Sequence, residues 1–237
     1  MKTVGVTKIK NIKNYFGEKI GIDIYYALSK FVYTLDEKET KLTDNDGNPT
    51  THLKRIFDGT KGLLMNGIKP VYIFYEQSKV FSTCSAYNSQ IISSVEINEI
   101  KRLLTYLGIP FVNSISECTI LLKTKEIYGV ATSEENQKSF GAKILLRDLP
   151  FQEKTKTLMT EVHFNEVSSF ADKDQKIELK WRQPDEENLI KFLCNEKQFN
   201  EENLCKGIKK IKESLIKFRQ TTLHQYFKKG KKQQMKK

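Results

Sequence analysis

The chain is predicted to be an α/β protein: a mainly parallel central sheet flanked by helices. Three observations carry this. Short β-rich runs alternate with longer stretches of helical apolar spacing, the alternation repeats from residue 19 to residue 149, and turn chemistry punctuates the junctions. At 237 residues the chain is long enough for one sizeable core with a tail.

The elements follow in order. KIGIDI (19–24) reads as a strand and YYALSKFVYTL as the helix after it. DNDGNP (44–49) is a turn, after which Thr50 or Thr51 is placed to cap the helix HLKRIFDGTKGLLMNG, ending at Asn66-Gly67. PVYIFY is the next strand, followed by an irregular, Ser-rich piece from Gln77 to Ser89. Then come the helix VEINEIKRLLTYLG, the strand IPFVN, a short helix from Ser116, and the strands YGVAT and KILLRDL. Parallel sheets build sites beyond the carboxyl ends of their strands. Asp23, Tyr75, Glu76, Glu117 and the stretch from Glu134 to Asn136 all fall at such ends.

Composition narrows the partners. The hydrophobic fraction is 38%, and 40 Lys and Arg against 29 Asp and Glu give a net charge of +11, a surface that favours a polyanion such as nucleic acid. Six of the excess positive charges sit in the last ten residues, KKGKKQQMKK, which read as a disordered arm able to serve as a nuclear-import signal or a phosphate-binding arm. Cys84, Cys118, Cys194 and Cys205 show no C-x-x-C spacing, so reduced intracellular thiols are expected, and His52, His163 and His224 are scattered enough to be read as structural or surface residues. No run of signal-peptide or membrane-spanning length occurs, so neither secretion nor a membrane is expected.

Several blocks resemble the flap endonuclease family, the structure-specific 5′ nucleases of replication and repair. They are IKNYFGEKIGID, GNPTTHL, NGIKPVYIF, LGIPFV followed by SE, and ELKWRQPDEENLIKFLCNEKQFNEENL, in the family's order. The resemblance implies a 5′ nuclease (PIN-like) core holding two divalent metal ions that hydrolyse a phosphodiester at the base of a 5′ flap. Two such cations need several converging carboxylates. Asp23 matches the family's first aspartate, Glu117 the first glutamate of a paired motif, and Glu134 the first of two later aspartates. Tyr75, Thr119 and Asn136 stand where the family has acids. Asp23, Glu117 and Glu134, with Asn136 as a weak neutral ligand, therefore form a remnant expected to hold at most one Mg²⁺ ion. A shifted arrangement using Glu76 and Glu135 is the other way to complete it. Between Arg147 and Glu178 the family's helical DNA-binding module is missing, and the Gln77–Ser94 piece is too short and too poor in cations to be the family's arch. Lys2 replaces the glycine that follows the family's initiator methionine.

Near the other end, Gln220, Leu223, Tyr226 and Phe227 fit the pattern Q-x-x-L-x-x-aromatic-aromatic, similar to the peptide by which the family docks on its sliding clamp (PCNA). The expected organisation is a shortened nuclease core over 1–218 and a disordered tail over 219–237. That tail carries the clamp peptide at 220–227 and an arm of Lys228, Lys229, Lys231, Lys232, Lys236 and Lys237 that holds DNA weakly. The expected protein is a nuclear, clamp-bound replication or repair factor with lost or strongly reduced cleavage. The alternative is an active Mg²⁺-dependent 5′ flap endonuclease using Asp23, Glu117 and Glu134.

Overall fold

The computed structural model describes residues 6–31, 43–44, 46–76, 93–133, 140–149, 158–164 and 176–234, with 30–31 and 219–234 described by backbone alone. Among the described residues seven strands form one sheet in the order β1-β7-β6-β5-β2-β3-β4. The strands are β1 Val6–Asn11, β2 Lys19–Asp23, β3 Lys69–Ile73, β4 Phe111–Val112, β5 Gly129–Ala131, β6 Ile144–Arg147 and β7 Leu158–His163. From β6 across to β4 every pairing is parallel, while β7 runs antiparallel to both β6 and β1. The expected α/β class with a mainly parallel sheet is the observed one. The antiparallel margin formed by β1 and β7 was not foreseen. Both strands interleave charged and polar residues with few apolar ones (VTKIKN and LMTEVH), and β1 is exposed along most of its length.

Strand alternation builds two apolar layers. On one face Ile20, Ile22, Tyr72, Phe74, Ala131 and Leu146 join the larger core. That core is covered by α2 (Thr51–Met65), α3 (Ser94–Leu107) and the C-terminal helices α5 (Glu186–Ile190) and α6 (Glu201–Gln234). On the other face Val71, Ile73 and Val130 pack with Cys118 and Leu121 of α4 (Ile115–Lys123), and with Phe140 and Ala142. Burial on both faces is what a parallel sheet requires, and it explains why β2, β3 and β5 lack polar alternation.

Helix ends show why the elements stop where they do. Ser93 caps α3 in a reciprocal box with Glu96, and α3 ends at Gly108, whose φ of +68° is left-handed. A Cβ on Gly108 would lie 2.4 Å from the Arg182 carbonyl oxygen, so the glycine also admits the extended segment 176–185. That segment is tied down by Arg182 N–H to the Gly108 carbonyl and Asp185 N–H to that of Tyr106. Helix α2 begins at Thr51 as expected, but the Thr50 side chain makes no capping hydrogen bond. Its backbone carbonyl instead accepts from the Leu53 and Lys54 amides. The irregular Gln77–Ser89 piece lies outside the described residues.

The expected disordered tail from residue 219 differs from what is observed, because α6 continues to Gln234. The reason is local: 219–234 contains no proline and Gly230 is its only glycine, so nothing in the sequence breaks the helix. The interval where the family's module is missing contains β7, which closes the sheet against β1.

Candidate functional site at the strand ends

Because β5, β2, β3 and β4 are neighbours and parallel, their carboxyl ends meet at one edge. Asp23 closes β2 there with no exposed surface. Its Oδ1 accepts from the backbone amides of Tyr25 (3.0 Å) and Tyr26 (3.4 Å), so it serves as the N-cap of α1 (Ile24–Phe31). Its Oδ2 accepts from Thr132 Oγ1 at 2.6 Å, just beyond β5. The Tyr75 hydroxyl lies 3.2 Å from both oxygens and donates between them. Tyr25 fastens this arrangement from the other side: its hydroxyl donates to the Tyr75 carbonyl at 3.0 Å, and the two rings meet edge to face at 5.1 Å. The Tyr75 ring also meets Phe140 at 5.4 Å.

Burial pushes the Asp23 carboxyl above its ordinary range, and the hydrogen bonds from Thr132, Tyr25, Tyr26 and Tyr75 offset part of that. The buried Cys118 thiol is likewise pushed up, by burial first and by the Asp23 charge second.

Glu117 occupies the first turn of α4, beyond β4. Its amide donates to the N-cap hydroxyl of Ser114 (3.1 Å), and its carboxylate turns back to accept from the Asn113 amide at 2.7 Å. Thr119 is buried, and its hydroxyl donates to the carbonyls of Ile115 and Phe140. Glu76 is exposed at the end of the same strand connection as Tyr75. Glu134, Glu135 and Asn136 lie outside the described residues. So do the side chains of Gln220, Leu223, Tyr226, Phe227, Lys228, Lys229, Lys231 and Lys232, and the whole of Lys236 and Lys237.

A profile of the XPG N-terminal domain matches residues 1–86. Flap endonuclease 1 of Aedes aegypti is 26% identical over an alignment of 323 residues that covers 92% of this chain and 85% of the relative. Flap endonuclease 1 of Xiphophorus maculatus is 25% identical over 316 residues, covering 89% and 83%. The chain is thus similar to flap endonucleases along about nine-tenths of its length, and its first 86 residues match the XPG N-terminal domain. Both alignments exceed 237 residues, so they are interrupted where the relatives have segments this chain lacks. Flap endonuclease-1 from Methanococcus jannaschii shares the fold with a TM-score of 0.64 at 17% identity, over 90% of this chain and 97% of that one. Human GEN1, solved in complex with Holliday junction DNA, does so at 0.62 and 11% over 87% and 74%.

The two-cation chemistry expected of this family fits the described residues poorly. No group of three or more His, Cys, Asp or Glu among them is placed to hold an ion. Of the two described acids of the expected remnant, Asp23 caps α1 and Glu117 turns back to the Asn113 amide, and the lone pairs of Asp23 are engaged by protein donors. Sequence reasoning identified Tyr75 as a lost ligand but missed Thr132 and Tyr25. Thr132 is the last residue of the run YGVAT read as a strand, and that position at a strand end was the available signal. A groove of about 770 Å³ whose lining mixes Lys19, Lys123, Lys125 and Lys143 with Glu18 and Glu126 lies at the opposite, amino-terminal edge of the strands, away from Asp23.

Proposed function

We propose that this member of the flap endonuclease family acts without cutting: it is a DNA replication or repair factor recruited to the sliding clamp by Gln220, Leu223, Tyr226 and Phe227, with cleavage lost or strongly reduced. The carrying observation is the Tyr75 hydroxyl spanning both oxygens of Asp23, where a nuclease of this kind needs a free carboxylate. The diversion of Glu117 to the Asn113 amide and of Thr119 to two carbonyls supports the same reading. DNA is the second partner, held weakly by the lysines from Lys228 to Lys237, and the nucleus is the compartment that fits these partners.

Single-turnover cleavage of 5′-flap DNA with Mg²⁺ and with Mn²⁺, under saturating protein, tests the proposal. The expected rate is at least about 10³-fold below that of an active relative, in keeping with the loss of several ligands. A rate within tenfold of that relative, abolished by Asp23→Ala, establishes the active Mg²⁺-dependent endonuclease instead.

A further inference from the structure

We propose, building on the non-cleaving reading above, that the Tyr75 phenol is a built-in substitute for a cation at Asp23. A single hydroxyl hydrogen, shared between the two carboxylate oxygens, would then hold the ends of β2, β3 and β5 together without a metal. A buried carboxylate needs positive charge or donated hydrogen bonds, and an ion and a set of donors are interchangeable solutions to that requirement. Here the donors come from three directions. Tyr75 extends from β3 to both oxygens, Thr132 reaches from beyond β5 to Oδ2, and the Tyr25 and Tyr26 amides approach Oδ1 from the first turn of α1. The carboxylate thus joins three neighbouring strand ends and one helix.

Tyr75 is the member of this set placed to exclude an ion. Its hydroxyl bisects the carboxylate, which is where a cation binding both oxygens sits. Its ring is wedged between Tyr25 and Phe140, and its backbone carbonyl is pinned by the Tyr25 hydroxyl, so the phenol has little freedom to swing away. The other donors leave the bisecting position open: Thr132 approaches one oxygen only, and the amides the other. Tyr75 is therefore a positioning residue whose oxygen replaces the ion and whose ring closes the entry.

The test follows the thermal midpoint of the full chain in EDTA and in MnCl₂ at matched ionic strength, for wild type, Tyr75→Phe, Tyr75→Asp and the double variant Tyr75→Asp, Asp23→Asn. Wild type is expected to melt at the same temperature with and without Mn²⁺. Tyr75→Phe keeps the ring and loses the donor, so it should melt lower than wild type in EDTA. Tyr75→Asp places two carboxylates together, so it should melt lower still and recover by several degrees in Mn²⁺, with the recovery absent in the double variant. Three results overturn the proposal: a Mn²⁺-dependent rise in wild type that Asp23→Asn removes, a folded Tyr75→Asp chain indifferent to Mn²⁺, or a Tyr75→Phe chain as stable as wild type. Should Tyr75→Asp fail to fold in either condition, the comparison of Tyr75→Phe with wild type decides. A wild type that misses the clamp overturns the function proposed above and leaves this readout unchanged. A wild type stabilised by Mn²⁺ through Asp23 overturns the substitute even when the clamp binds.

Discussion

Glu161 and Asp23 are both carboxylates with no exposed surface, and they are held in opposite ways. Burial alone pushes either one up. At Glu161 the donors outweigh it: Lys10 at 2.8 Å, Tyr15 at 2.6 Å, Tyr128 at 3.0 Å and His163 bring the carboxyl down to about 2. At Asp23 the donors carry no formal charge and offset only part of the burial. The consequence for stability is direct. The folded pKa of Glu161 lies below its ordinary 4.5, so the folded state binds fewer protons than the unfolded chain. Its contribution is complete above pH 4.5 and drains away as pH falls toward about 2. Glu161→Gln should lower stability at neutral pH by about 3 kcal/mol, since it leaves the Lys10 cation and two phenols poorly matched. It should also flatten the acid limb of the profile. Urea unfolding between neutral pH and pH 3 measures both, and parallel profiles for variant and wild type would count against this assignment.

At the scale of elements, two helix ends are open to test. The Ser93 cap of α3 satisfies the Glu96 amide, so Ser93→Ala should cost about 1 kcal/mol in chemical denaturation with little change in m-value. Gly108→Ala should cost at least about 2 kcal/mol, because it combines a left-handed φ with a clash against the Arg182 carbonyl. A much smaller loss at Gly108 would mean that segment 176–185 can step away from α3. The far end of α6 bears on the proposed clamp contact. Positions 220, 223, 226 and 227 fall on one broad side of a helix. Tyr226→Ala with Phe227→Ala should weaken clamp binding by about 3 kcal/mol, on the order of a hundredfold, by calorimetric titration at about 0.15 M salt and above. Binding that disappears with salt but tolerates loss of both aromatics would point to the lysine arm rather than a groove.

For the whole molecule, the distribution of charge decides the DNA prediction. Six lysines and no acid lie in the last ten residues, whereas the net charge of +5 on the rest is spread over 227 residues. Deleting 228–237 should therefore remove most affinity for duplex and flap DNA alike and reduce the salt slope by up to about 5. Fluorescence anisotropy over a salt series reads both quantities. A flap preference that survives the deletion would place structure recognition in the folded body.

Much of this molecule is determined by local sequence. The strands KIGID and KPVYI, the capped helix after Ser93 and the order of the family's blocks are written in short runs of residues, because strand and helix periodicity, caps and turns act over a few positions. The substitutions at Tyr75 and Thr119 were visible in the same way. What Tyr75 does was not, since its hydroxyl meets Asp23 from 52 positions away and Thr132 meets it from 109. The same holds for Glu161, whose partners Tyr15, in the turn after β1, and Lys10, on β1, lie 146 and 151 positions distant. These pairings exist only once the sheet has set its strand order. Whether a buried carboxylate faces an ion or a phenol is a property of that packing, which no single stretch of the chain contains.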